Sequence, residues 1–216
     1  MSPDACFSLH ISDTVLAASQ KCGWILRSFK TRDCSLMITL WKSLVAPVLD
    51  YCSQLWCPVN LGQIQKLELI QLHYFNKISG MAALDYWQQL RTLNMLSLQR
   101  RRERYICIYI WKILEGTVPN FGIEVSCSKR RGRSCIVPAL RRAAPHKIQT
   151  IRFNSMGIHG PRICNCLPQK LRDMSSCSTD CFKRALDKHL STVPDEPRVP
   201  RLIKYCSKSS NSLIEY

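Results

Sequence analysis

Apolar residues in this chain recur at intervals of three and four over several long runs, and single Gly or Pro residues cut the runs apart. That spacing lines one face of an α-helix and does not suit the strict alternation of a half-buried strand. Ile11, Val15, Ala18, Cys22, Ile25 and Phe29 predict a helix over 10–29, with Ser12 or Asp13 at its start. Asp33 offers a second cap, ahead of Leu36, Leu40 and Leu44 on one face. Pro47 has no amide hydrogen to donate, so this helix is expected to kink or end just before it. Residues 48–56 are apolar and aromatic, which suits either a short helix or a buried connector.

After a turn at Pro58, Asn60 is the next cap, with Gln63 at the capping-box position and Val59 and Ile64 placed for a hydrophobic staple. Leu61, Ile64, Leu67, Ile70, Tyr74 and Ile78 then face inward, and Gly80 stops the helix. A shorter helix is predicted over 85–93. A long one opens at Ser97 or Leu98 and closes at Gly116, with Pro119 beyond. On that long helix Ile106, Tyr109, Ile110 and Ile113 fall on one side and Arg101, Arg104 and Lys112 roughly opposite, so it is expected to show three cations to solvent or to a phosphate backbone.

Charge becomes the main clue after Gly116. From Gln99 to Arg152 there are thirteen Lys and Arg against three Glu, a net of +10 within a chain total of +16. Lys129, Arg130, Arg131 and Arg133 form the densest cluster, followed by Arg141, Arg142 and Lys147. Pro119, Gly122, Gly132, Pro138 and Pro145 make this segment loop-rich. A clustered basic excess points to a polyanionic partner, most often nucleic acid, and the cluster also has the composition of a nuclear-import signal. Further on, Gly157, Gly160, Pro161 and Pro168 allow only short helices. Thr179 or Asp180 caps a last one, with Phe182, Leu186 and Leu190 on its inner face. The polar tail after Pro194 is expected to be disordered. No internal repeat is present.

Searching for chemistry gives little. Cys164 and Cys166 are one residue apart and Cys177 and Cys181 three apart, an order that fits no zinc ribbon or knuckle; reduced, partly buried thiols are expected instead. Cys52 and Cys57, in an apolar stretch, are expected in the core. The five histidines show no triad or H-E-x-x-H spacing, and no glycine-rich phosphate loop occurs. The fifteen acids are scattered, and the adjacent pair Asp195-Glu196 lies in the tail, so no two-metal carboxylate site can be written down. Neither a catalytic residue nor a metal or cofactor is expected, and the chain reads as a non-enzyme. No run reaches the ~18 apolar residues of a membrane span, and no export signal is seen at the start, so an intracellular setting, nuclear or cytoplasmic, is expected.

Several ordered blocks together resemble the region that follows the catalytic palm in reverse transcriptases of non-LTR retrotransposons, the jockey-like and chicken-repeat-like groups most. Trp41 to Pro58 supplies Lys42, Ser43, Leu44, Val45, Pro47, Leu49, Asp50, Tyr51, Cys52, Trp56 and Pro58 of the family's Tyr-Lys-Ser-Leu-Val-Arg-Pro-x-Leu-Glu-Tyr-Cys-x-x-x-Trp-x-Pro. Leu67, Glu68 and Gln71 match its Leu-Glu-x-x-Gln. Residues 86–95 echo Tyr-x-x-Arg-Leu-x-x-Leu-x-Leu, with Leu90-Arg91 offset from the usual order. Ser97, Leu98, Arg101 and Arg102 follow Ser-Leu-x-x-Arg-Arg, and Lys112 to Gly116 follows Lys-Ile-Leu-x-Gly. Asn165, Leu167 and Pro168 are similar to Trp-Asn-x-Leu-Pro, and Phe182, Lys183, Leu186 and Asp187 to Phe-Lys-x-x-Leu-Asp. Ala46 stands where the family has Arg, and Cys164 where it has Trp. The resemblance implies a thumb-like helical region lying against a template–primer backbone, without the fingers and palm and so without their polymerase activity.

The expected architecture is mainly α: a leader over 1–9, a helical bundle over 10–116, a basic loop-rich linker over 117–150, a small helical segment over 151–192 and a tail over 193–216. The expected function is sequence-independent binding of RNA or DNA backbones through Arg100, Arg101, Arg104, Lys112, Lys129, Arg130, Arg131, Arg133, Arg141 and Arg142. Trp87, Tyr105 and Trp111 could stack on bases but fit core packing better. Two other readings stay open. One is a protein-interaction or self-association module exposing the face that would pack on a palm. The other is a relic reading frame without a selected role, marked by little cooperative unfolding.

Overall fold

In the first hundred residues an aromatic cluster does the central packing. The Trp41 ring lies 5.2 Å from that of Tyr74 and 5.4 Å from that of Phe75, and all three side chains are buried. The computed structural model describes residues 7–58, 60–120, 122–128, 130, 132–139, 155–197 and 211–215. The fold is mainly α, as the periodicity predicts. Helices α1 (Ser8–Ser28), α2 (Cys34–Leu40), α3 (Ala46–Asp50), α4 (Leu61–Phe75), α5 (Tyr86–Thr92) and α6 (Leu98–Leu114) precede a two-stranded antiparallel hairpin. Its strands are β1 (Val125–Ser128) and β2 (Gly132–Cys135); then come α7 (Met156–Asn165), α8 (Gln169–Arg172) and α9 (Thr179–Leu190). The chain divides into two compact units. One comprises residues 1–101 and 195–211, the other 102–194 and 212–216, so the division falls inside α6 rather than after Gly116, where composition changes.

Local chemistry accounts for the first unit. Asp33 accepts from the backbone N–H of Ser35 at 3.0 Å and Leu36 at 3.2 Å and starts α2 as expected. Those contacts, with the Ser35 hydroxyl first among them, hold its carboxyl below the usual range. Pro47 does not end the helix. The backbone widens into a π-turn over Trp41–Val45, and Pro47 then sits in the first turn of α3, where no helical partner needs its missing N–H. Asn60 caps α4 through the Gly62 N–H at 2.8 Å. The capping box appears one helix later instead, between Asp85 and Gln88 at the start of α5. Val59, the other half of the expected staple, lies outside the described residues.

Several expectations need correction here. Helix α1 starts at Ser8, and neither Ser12 nor Asp13 caps it. Helix α4 ends at Phe75, five residues before Gly80, and Leu61 at its start is exposed. Cys52 is exposed and Cys57 half-exposed: residues 51–56 form turns that bury Ser53 and Trp56 but leave the cysteines out of the core. Buried Cys22 is the thiol of that core, pushed up to about 12 by desolvation.

The second unit is built on the rest of α6. Trp111 stacks on Phe182 of α9, with ring centroids 4.8 Å apart, and donates its indole N–H to the Met174 carbonyl at 2.8 Å. It is core, as is most of this helix. Gly160 lets α7 approach closely: a Cβ there would stand 2.7 Å from Ile110 Cδ1. The hairpin was not expected from the sequence. Gly132, at φ +67°, closes its turn against the Asp173 carboxylate, where any side chain would collide. Ser178, not Thr179 or Asp180, caps α9, while Phe182, Leu186 and Leu190 are buried as predicted. Within the segment expected to be disordered, residues 193–197 and 211–215 take defined positions, and Pro197, Asn211 and Leu213 are buried.

Candidate nucleic-acid interface

The first turn of α6 carries the arginines that spacing alone would aim at phosphate. A helix N-terminus leaves backbone N–H groups without internal partners, and anions commonly fill them. Here this chain's own carboxylates do so. Asp195 accepts from Ser97 N at 2.7 Å and from the Ser97 hydroxyl at 2.7 Å. Glu68, 1% exposed, accepts from Leu98 N at 3.2 Å, Gln99 N at 2.7 Å and the Tyr86 hydroxyl at 2.7 Å. The Ser97 hydroxyl oxygen takes the Arg100 N–H at 3.1 Å. No N–H of Ser97 to Arg100 is left for a ligand. Desolvation, with the Glu68 carboxylate behind it, pushes the Tyr86 phenol well above its ordinary range, so this hydroxyl stays a donor.

The side chains of that turn face inward too. Arg100 is 0% exposed and donates to the Asn211 carbonyl at 3.0 Å; Asn211 in turn donates to Asp195 at 2.7 Å. Arg101 grips Asp50 with Nε at 2.8 Å and Nη2 at 2.7 Å. Arg102 is buried, and Glu103 accepts from the Ser212 hydroxyl at 2.6 Å and Leu213 N at 3.1 Å. Arg104 forms a two-pronged pair with Asp187 of α9, one prong at 2.8 Å; that hydrogen bonding raises its pKa further. The expected face of exposed cations on α6 is therefore corrected. Helix α6 is covered nearly all round, with Ile106, Cys107, Ile108, Ile110, Trp111 and Ile113 buried; Arg101 and Arg104 pair with Asp50 and Asp187, and Arg100 with a backbone carbonyl.

Arg133 is also internal. It donates to Glu115 at 2.7 Å and to the Leu114 carbonyl at 2.7 Å, while its backbone N–H meets Asp173 at 2.6 Å. Partial burial would raise the Glu115 carboxyl, but the Arg133 guanidinium and the Ser176 N–H outweigh it and hold the carboxyl below its usual range. Lys112 is half-buried and Arg130 exposed, whereas Lys129, Arg131, Arg141 and Arg142 lie outside the described residues. Cations outside that set are more exposed. On α9 Arg184 and Lys188, one turn apart, are exposed and Lys183 is half-exposed; Lys170 on α8 is exposed. A signal for two of them existed, since Arg184 and Lys188 fall opposite Phe182, Leu186 and Leu190 at helical spacing, with Lys183 on the flank.

Trp87 and Tyr105 are half-buried beside Arg91 and Arg104, whose guanidinium carbons lie 4.8 and 5.8 Å from the respective ring centroids. Among the described residues no three His, Cys, Asp or Glu side chains group as metal ligands, and no helix is long and apolar enough to cross a membrane. No protein family, curated protein or solved structure matches the chain.

Proposed function

We propose that this chain binds nucleic-acid phosphates without reading sequence, as a non-catalytic helical region of the kind that follows the palm in non-LTR reverse transcriptases, in a nuclear or cytoplasmic setting. The observation that carries this reading is charge that internal pairing leaves untouched. Each ion pair, such as Arg101–Asp50 or Arg133–Glu115, removes one cation and one anion, so the net +16 remains. Exposed Arg184 and Lys188 on α9, with Arg130 at the hairpin turn, are among the described groups that offer it to a partner. Affinity then comes from counterion release and falls steeply with salt.

The test is fluorescence anisotropy of labelled single- and double-stranded oligonucleotides across a salt series. The chain should bind at low salt regardless of base sequence. In the double variant Arg184→Glu, Lys188→Glu the slope of log affinity against log salt should become shallower by about 2, one per lost phosphate contact. Failure to bind in dilute buffer ends the proposal; an unchanged slope in the variant removes α9 from it.

A second reading rests on α1, where Leu9, Leu16 and Trp24 are 70%, 58% and 52% exposed on the side opposite the buried Ile11, Ala18, Cys22 and Ile25. Exposed large apolar side chains of that kind, set among Asp13, Gln20 and Arg27, favour a protein partner. Sedimentation that is concentration-dependent but insensitive to salt would mark it.

A further inference from the structure

Inside the second unit two cysteines from different elements meet at one small cavity. Cys135 ends β2 and Cys164 lies in the last turn of α7, and the two are 5% and 6% exposed. Asn165 clasps the Cys135 backbone from both sides: Cys135 N donates to Asn165 Oδ1 at 2.8 Å, and Asn165 Nδ2 donates to the Cys135 carbonyl at 2.8 Å. This clasp sets strand and helix in one register and brings the thiols together. Both cysteines line a cavity of about 10 Å³, room for one water-sized molecule, along with Leu114, Arg133, Asn165 and Arg172. The two guanidiniums are fixed: Arg133 by Glu115 and the Leu114 carbonyl, Arg172 by the carbonyls of Leu167 at 2.9 Å and Arg133 at 2.8 Å.

We propose that Cys135 and Cys164 form a peroxide-responsive thiol pair that closes reversibly into a disulfide joining the hairpin to α7. The chemistry is asymmetric. Hydrogen bonding between the two side chains, with Arg133 and Arg172 nearby, favours the Cys135 thiolate against its burial, while the same bonding and desolvation push the Cys164 thiol well up. The Cys135 thiolate attacks one oxygen of hydrogen peroxide; the O–O bond breaks, hydroxide leaves, and Cys135 becomes a sulfenic acid. Cys164 then attacks that sulfur, the S–O bond breaks, and its proton leaves with the hydroxyl as water. Two thiols are oxidised and one peroxide is reduced to two waters. A dithiol reductant reverses the bond. The chain supplies its own comparison in Cys177 and Cys181, a second close pair that brackets the start of α9. Burial, Cys181 and the neighbouring Glu115 carboxylate push the Cys177 thiol up, so this pair should react later.

The experiment is a peptide map of the whole reduced chain after graded hydrogen peroxide, alkylation of remaining thiols and trypsin. Cys135 falls in peptide 134–141 and Cys164 in peptide 163–170, which also holds Cys166. The expected result is a linked pair of these peptides, lighter by two hydrogens, appearing before any Cys177–Cys181 bond and lost on adding dithiothreitol. Fragment ions should place the bond at Cys164, and Cys166→Ser should keep it while Cys135→Ser abolishes it. A bond from Cys164 to Cys107, its neighbour on α6, overturns the proposal. So does earlier closure of Cys177–Cys181, or oxidation of Cys135 to sulfinic acid without a link. The wild-type map decides these outcomes without relying on any variant to fold.

Discussion

Helices α6 and α9 both carry cations at helical spacing, and they use them in opposite ways. On α6 Arg100 is buried and Arg101 and Arg104 are tied to Asp50 and Asp187. On α9 Arg184 and Lys188 stand exposed. The difference does not lie in the cations. Helix α9 has one apolar row, Phe182, Leu186 and Leu190, so the rest of its circumference meets water. Helix α6 is covered on nearly every side, and any polar side chain on it must find an internal partner or bear the cost of desolvation. Guanidinium suits that position because its planar fork stays charged and can reach several acceptors at once.

Three substitutions grade the contrast by stability in urea unfolding. Arg100→Ala should cost the most, about 3 kcal/mol, since it empties a buried site and leaves the Asn211 carbonyl without its donor. Arg101→Ala should cost about 1–2 kcal/mol, the range for a half-buried, two-bond contact with Asp50. Lys188→Ala should stay within about 0.5 kcal/mol. If Arg100→Ala costs no more than Lys188→Ala, α6 and α9 do not differ in the way described. If Arg101→Ala matches Arg100→Ala, pairing rather than burial sets the scale.

Period and punctuation made the helices legible, because they act within a few residues. Asp33 and Asn60 cap where a single side chain reaches the next turn, and Phe182, Leu186 and Leu190 turn inward as one row. The arginines of α6 were misread because their partners are remote in sequence: Asp50 is 51 positions from Arg101, Asp187 is 83 from Arg104 and Asn211 is 111 from Arg100. One clue lay in Glu68, a lone carboxylate among Leu67, Ile70 and Tyr74 on the inward face of α4, a place an acid takes only with partners. The hairpin left no such clue. Val125 to Ser128 alternates apolar and polar for only four residues and is exposed throughout, so no buried face marks the strand; β2 is held instead by Asp173 and Asn165. The π-turn before Pro47 is likewise a compromise of the folded backbone rather than a pattern of residue types.

The junction of Ser97, Asp195 and Asn211 has a consequence for how the protein is made. A ribosome delivers Ser97 about a hundred residues before the carboxylate that receives it, and Asn211 a further 16 residues later. Domains usually mature in the order they are synthesised. Here Glu68 is in place before α6 is made, but the Asp195 and Asn211 half of the anchor at its first turn forms only after about a hundred further residues.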